Sequence, residues 1–386
     1  MSGAGRRAGR AERWAAPEPA RIPSDEGPHM TRHLVVMAAG TGGHVIPGLA
    51  VAEEMQRRGW TVSWIGTPAG MENRLVPARG LALDALPFAG LRGKGLAHAL
   101  RGVVGFFRAL GQARRVYAER RATAVLGMGG YVCVPAGLAA AFSGRPLMLV
   151  NADAAMLKSN AALKPFARRI AFGFDGAAAA STRGAIVSGN PVRAEIEALP
   201  APAERMAGRE GPLHLLVLGG SLGARAINQA VPQALALWPA DERPQVLHQS
   251  GQDHLGAVWQ AYSDAGIAAE VRPFIDDMAA ALAWADVVVC RAGAITVSEL
   301  CAAGCAAVLV PLVASTTSHQ RENAVFMAQH GAAIHLPQSE LTPQKLHELL
   351  RGMDRAALLT MAEKARALAR PRAAARVADE IEGMLK

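Results

Sequence analysis

The stretch Val287–Leu300, VVVCRAGAITVSEL, has the residue types and order to hold a phosphate. Four residues of buried-strand character, Val287 to Cys290, run into Arg291-Ala292-Gly293-Ala294, and Ile295-Thr296-Val297-Ser298-Glu299-Leu300 then opens a helix. A strand that turns through small residues into a helix leaves backbone N–H groups and the positive end of the helix dipole facing one point. Phosphate is the usual occupant of such a point. Glu299, about one turn into the helix, sits badly beside a phosphate but suits a neutral, hydroxyl-rich group such as a ribose. An ordinary βα turn would read the same way, so this stretch alone does not decide.

The second candidate is His44, directly behind Ala39-Gly40-Thr41-Gly42-Gly43. An imidazole titrates near neutrality and suits proton transfer. A lone His is usually structural, but one behind a glycine turn at the C-terminal end of a strand stands at a cleft edge. Two more glycine turns follow strands, Gly127-Met128-Gly129-Gly130-Tyr131 and Gly219-Gly220-Ser221-Leu222-Gly223-Ala224-Arg225. No D-x-D pair occurs in the chain, which argues against a metal-bridged diphosphate.

These residues need elements to hold them. Leu34–Ala38 reads as a buried parallel strand, followed by a helix over Pro47–Arg58, a C′ stop at Gly59 and a second strand over Thr61–Ile65. This is a βαβ unit with a glycine-rich first turn. Its spacing is not GxGxxG, and Gly66-Thr67 stands where an acidic ribose ligand would be, so a nicotinamide cofactor is disfavoured. Val125-Leu126 and Leu147–Val150 are further strands, and Ala177–Ser181 is Ala-rich and weakly defined. Gly189-Asn190-Pro191-Val192-Arg193 is a turn joining two halves. The pattern then restarts: strands at Leu213–Leu218, Val246–His248, Val271–Ile275 and Ala307–Pro311, with a helix start at Asp276-Asp277. Strands alternating with helices in two sets predict two doubly wound α/β domains with the active site in the cleft between them.

Composition agrees with that size. The chain has 386 residues, 51% of them hydrophobic and 19% charged, and a net charge of +9. A basic balance points to nucleic acid, anionic lipid or anionic substrates. Three Tyr and no aromatic-basic interleaving argue against nucleic acid. Much of the excess charge lies in Arg92–Arg121, with eight basic residues against one acidic. There Leu96, Leu100, Val103, Phe107 and Leu110 fall at helical spacing, while Arg101, Arg108 and Arg115 recur every seven residues on another stripe. With Phe106 and Phe107, this amphipathic segment either lies on anionic lipid or packs its apolar side on the sheet. It does both if it has an inner and an outer apolar edge. Cys133, Cys290, Cys301 and Cys305 form no CxxC pair and read as reduced thiols. Residues 1–30 read as a disordered extension without an apolar signal region, with Met30 an alternative start. The uncharged run Ala122–Gly144 is broken by Gly127, Gly129, Gly130, Pro135 and Gly137 into strand, loop and helix, not a membrane span.

The ordered segments GTGGH (40–44), LRGKG (91–95), GMGGY (127–131), GNPVR (189–193), GGSLGA (219–224), HQSG (248–251), FIDDMA (274–279), ADVVVCRAGAITVSE (285–299) and HQ (319–320) together resemble the MurG family. The resemblance runs from Leu34 to the C-terminus. It implies a GT-B fold, with an acceptor and membrane-facing domain over 31–188, a UDP-GlcNAc domain over 189–365, and a C-terminal helix in 366–386 packing back on the first domain. It implies inverting transfer of GlcNAc from UDP-GlcNAc to lipid I, without a cofactor or metal. The protein would be peripheral, on the cytoplasmic face of the bacterial inner membrane, with cell-wall and division proteins as neighbours. By resemblance, Ser221 meets the diphosphate and the Ile275 backbone the uracil. Ala294, Ile295, Thr296, Val297, Ser298 and Glu299 meet phosphate and ribose, and His319 and Gln320 the sugar. Arg193 matches another donor-site position, and Thr41, Gly42 and Gly43 match the loop that closes on the donor. Arg92, Lys94, Arg101, Phe106, Phe107, Arg108 and Arg115 would serve the membrane and lipid acceptor.

The chain departs from the family in places. Ala39 replaces the first Gly of Gly-Gly-Thr-Gly-Gly-His, Leu222 the Gln of GGSQGA, and Ala292 the Ser of CRSGA. Val313–Ser318 lacks the usual acidic residue. Val150-Asn151-Ala152-Asp153 stands for His-Glu-Gln-Asn, so Asp153 replaces a sugar-contacting amide with an acceptor-only carboxylate. The general base is therefore His44 first and Asp153 second. Two other readings stay open: a UDP-GlcNAc 2-epimerase of the same fold, and a non-catalytic nucleotide-sugar-binding scaffold of the cell-wall machinery.

Overall fold

A computed structural model describes residues 32–40, 42–88, 96–220, 223–312 and 319–386, without the side chains of residues 96–101. Thirteen strands are found among them. In the first sheet these are β1 (His33–Ala38), β2 (Thr61–Gly66), β3 (Ala82–Ala85), β4 (Ala124–Gly129), β5 (Leu147–Asn151), β6 (Arg169–Phe172) and β7 (Ala185–Val187). They pair in the order β3-β2-β1-β4-β5-β6-β7. The second sheet holds β8 (His214–Leu218), β9 (Gln245–Gln249), β10 (Ala269–Arg272), β11 (Val287–Cys290), β12 (Ala306–Leu309) and β13 (Ile334–His335), in the order β10-β9-β8-β11-β12-β13. All pairings are parallel. Each sheet reverses its winding between its first and fourth strands in sequence, which opens a crevice at their C-terminal ends.

Burial on both faces explains why these strands read as continuous apolar runs. In β1, Leu34 and Val36 join Leu49, Trp64 and Leu126 on one face, while Val35 and Met37 join Tyr117, Val125 and Leu149 on the other. In β11, Val288 and Cys290 face Leu216 and Leu309, and Val287 and Val289 face Leu215 and Val308. The chain's last helix, Ala373–Gly383, packs on the first sheet's cluster through Val377, Ala378 and Ile381. Arg58 holds it there, donating to Asp379 (2.7 Å) and Glu382 (2.9 Å). The chain thus crosses back after its second sheet.

Some expectations need correction. The helix after β1 begins at Gly42, not Pro47, and runs to Arg57 with Pro47 inside it. That proline lies in the second turn, so only one carbonyl near the N-terminus loses its partner. Gly59 does close the helix: its φ is +82°, its N–H donates to Gln56 O, and Trp60 N–H donates to Met55 O. Ala177–Ala180 is a helical turn. Strands β3, β6, β7 and β13 went unread because each has only two to four residues and little pattern. β10 begins two residues earlier than the apolar run suggested and ends at Arg272.

Of the predicted stripe on the helix Leu96–Glu119, Val103 and Phe107 are exposed, Leu110 packs partly buried on the core, and the Leu96 and Leu100 side chains lie outside the described residues. The helix's inner face is Ala109, Ala113, Val116 and Tyr117, because small side chains bring it close to the sheet. Val103, Val104 and Phe107 are exposed, Phe107 by 66%. The segment has both an inner and an outer apolar edge. Among the described residues, no helix is long and apolar enough to cross a membrane. The run Ala122–Gly144 is β4, a glycine turn and the helix Cys133–Phe142.

Candidate active site

The two crevices face one another across the chain's mid-turn. The Val287–Leu300 stretch folds as expected: β11 enters a turn and the helix Ala294–Ala303 begins with Gly293 as its N-cap. No side chain caps it and no acidic residue lies in its first turn. Its leading N–H groups have no acceptor within the helix, the arrangement that receives anionic oxygen. Ser298 and Glu299 follow on the next turn.

Glu299 is buried and does not stand alone. Arg193, from the mid-turn, donates to its Oε1 from Nε (3.0 Å) and Nη2 (2.8 Å). Burial pushes the carboxyl above its usual range, and the Arg193 guanidinium opposes that rise. Two residues assigned separately to the donor site are therefore one ion pair. Ile275 N–H donates to Gln249 Oε1 at 3.0 Å, so Gln249 fixes the backbone where a base would dock. Asp277 begins the next helix as expected, its side chain accepting from Ala280 N–H. Gln320 Oε1 accepts from Leu312 N–H at 2.8 Å, and His319 Nδ1 is buried without a partner among the described residues.

On the opposite wall, His44 lies in the first turn of Gly42–Arg57, with Nδ1 buried and, among the described residues, unpartnered. Its ring rests on Gly129, where a Cβ would stand 2.7 Å from two ring atoms, and Gly129 has φ +115°. Gly130 (φ +94°) comes as close to the Ala39 carbonyl, 2.9 Å from an added Cβ. The second glycine turn is therefore glycine-rich to seat the first, and β4 is bulged beside β1 there. Burial lowers the His44 pKa, while the Asp153 charge and the Met128 backbone raise it, and the His319 charge lowers it. His44 thus feels the charges of Asp153 and His319. The Gly42–Arg57 helix also contacts the Ala294–Ala303 helix.

Several site residues carried no readable signal. Glu72 has no exposed surface and accepts from Gly40 N–H (3.1 Å), Thr67 N–H (2.8 Å) and Thr67 Oγ1 (2.7 Å). Asn190 Nδ2 donates to Ala152 O (2.8 Å) and Ser298 Oγ (3.0 Å). Asn323 lies buried between Asp153 and Ala292. Only their partners, distant in sequence, reveal them. Thr41, Ser221, Arg92 and Lys94, and the Arg101 side chain, lie outside the described residues. Arg108 and Arg115 are exposed on the outer helix, and Phe106 meets Phe107 and Phe88 with ring centroids 5.7 and 6.1 Å apart.

Two doubly wound domains with a cleft between them are the GT-B architecture. The models of the glycosyltransferase family 28 N-terminal and C-terminal domains match residues 34–172 and 214–379. A protein of Methylibium petroleiphilum, named UDP-N-acetylglucosamine–N-acetylmuramyl-(pentapeptide) pyrophosphoryl-undecaprenol N-acetylglucosamine transferase, is 68% identical over 92% of this chain and 98% of its own length. A protein of the same name from Chromobacterium violaceum is 57% identical, over 90% and 97%. The crystal structure of Acinetobacter baumannii MurG is 38% identical with a TM-score of 0.78, covering 92% of this chain and all of that one. The chain belongs to the MurG family of glycosyltransferase family 28. The UDP-GlcNAc 2-epimerase of Neisseria meningitidis, at 13% identity and TM-score 0.61, shares the fold alone.

Proposed function

We propose that this hexosyltransferase moves GlcNAc from UDP-GlcNAc to lipid I to give lipid II, in the cleft between the two sheets and with inversion at the anomeric carbon. The observation that carries the reading is the start of the Ala294–Ala303 helix, without a side-chain cap among the described residues, in the same cleft as His44, whose buried Nδ1 has no hydrogen-bond partner among them. In this reading the N–H groups at Ala294–Thr296 hold the diphosphate, with the Ser221 turn, and stabilise UDP as it leaves with the bonding electron pair. Glu299 holds the ribose, the Ile275 backbone the uracil, and His319 and Gln320 the sugar, while Thr41, Gly42 and Gly43 close over the donor. The acceptor hydroxyl oxygen bonds to the anomeric carbon, and its proton passes to the His44 imidazole. Burial favours the neutral, proton-accepting form of that ring, and Asp153 stabilises the imidazolium that follows.

The outer edge of Leu96–Glu119 supports contact with an anionic membrane on its cytoplasmic face. There Val103, Val104 and Phe107 are exposed beside Arg108 and Arg115. Incubation with labelled UDP-GlcNAc and a short-chain lipid I analogue tests the reaction. Labelled lipid II supports it; 2-epimerised sugar, or binding without turnover, would point to one of the two other readings. Replacing Val104 and Phe107 by Ser should reduce flotation with phosphatidylglycerol vesicles at low salt, and undiminished flotation would remove the membrane face.

A further inference from the structure

Asn323 has no exposed surface, although its helix, His319–Gln329, is largely polar. Its Nδ2 donates to Asp153 Oδ1 at 2.8 Å and to Ala292 O at 3.1 Å, and its Oδ1 accepts from Ala154 N–H at 2.9 Å. A carboxamide is the one side-chain group of this size with two N–H donors and an acceptor. Its partners come from two walls. Asp153 and Ala154 follow β5 of the first sheet, whereas Ala292 lies in the turn between β11 and the donor helix. Asn190 makes a parallel link from Ala152 O to Ser298 Oγ. Residues 152–154 are therefore fastened, one after another, to the element that receives the diphosphate.

Asp153 is the position where this chain carries a carboxylate. A carboxylate with an N–H fixed on one oxygen keeps one orientation, and the charge of Asp153 reaches His44. We propose that Asn323 is a positioning residue: it fixes the Asp153 carboxylate in one orientation and ties it to the donor cradle, so that a nucleotide-diphosphate sugar in the cradle and the carboxylate that acts on the base are set together. The inference rests on the roles proposed above for His44 and Asp153.

The test uses the full chain with UDP binding by calorimetry, and with kcat and KM for transfer to the lipid I analogue. Asn323→Asp keeps the size of the side chain but sets two carboxylates in contact. Turnover should fall about 10- to 100-fold, the cost of a small misplacement at the reacting centre, with UDP affinity changed by less than about threefold. Asn323→Asp with Asp153→Asn exchanges donor and acceptor. It should recover part of the thermal midpoint lost in Asn323→Asp, the link to Ala292 O staying broken, while kcat stays at the level of Asp153→Asn alone, a split that lost packing would not produce. Asn323→Ser, small and uncharged, carries the same test if the paired carboxylates do not fold. Unchanged kcat in Asn323→Asp or Asn323→Ser, or a loss of UDP affinity parallel to the loss of turnover, overturns the proposal. His44→Ala is measured beside them: full turnover there sinks the base assignment, whereas an inactive His44→Ala with active Asn323 variants sinks only the positioning role.

Discussion

The turn after β1 and the turn after β11 are built alike, and their chemistry differs. In the first, the Gly40 N–H is already taken by the buried Glu72 carboxylate. In the second, the helix from Ala294 has no side-chain cap and no acid in its first turn. An internal carboxylate takes one amide of the first turn and opposes a further negative charge there, while the helix start of the second leaves its leading N–H groups without acceptors in the helix. The same topology therefore yields one turn that holds a buried acid against its own amide and one helix start without an acid in its first turn.

Four measurements break or sharpen that contrast. Gly129→Ala puts a methyl into the His44 ring at a left-handed φ, so turnover should fall about 100-fold while UDP affinity holds. Equal losses in both would mean that the wall carrying His44 also binds the donor. Glu299→Ala should do the reverse and weaken UDP binding about 10- to 100-fold, the range of a charge-assisted hydrogen bond. Calorimetry giving the parental affinity would remove Glu299 as the ribose ligand. Glu72→Gln turns an amide N–H toward donors, and we expect a loss of about 1–3 kcal/mol in denaturant unfolding. A gain of phosphate affinity without that loss would contradict the filled turn.

The smallest effect is in pH dependence. Burial lowers the His44 pKa, so the neutral base persists below the ordinary value of about 6.5. The acid limb of kcat/KM should then lie below that value, with activity lost as pH falls further. Asp153 raises this pKa and His319 lowers it, so Asp153→Asn should move the limb to still lower pH. A limb that moves up on that substitution would contradict the electrostatic role of Asp153.

Much of the first turn and nearly all of the second were legible in sequence. Small residues between an apolar run and a helical pattern permit few backbone paths, which is why Val287–Leu300 could be read directly. His44 was visible by its place behind Gly43, and Asp153 by its departure from a known pattern. The buried partners were not visible. Glu72 sits 32 residues from Gly40, Arg193 106 from Glu299, and Asn323 170 from Asp153. Nothing in a short window marks an acid, a cation or an amide that will be buried with a distant partner. The outer helix shows the same limit from the apolar side: spacing marked Val103 and Phe107 as a face, and packing put Ala109, Ala113 and Tyr117 against the sheet instead.

By itself the sequence determined two parallel, doubly wound halves, the glycine turns at their strand ends and the family to which the chain belongs. Those features come from local backbone rules and from residues whose meaning is carried by their neighbours in the chain. Tertiary structure alone decided which turn is filled and which is open, which ion pair holds Glu299, and which amide joins the two walls. Each of these depends on a polar group losing its water, and burial is set only when distant segments meet.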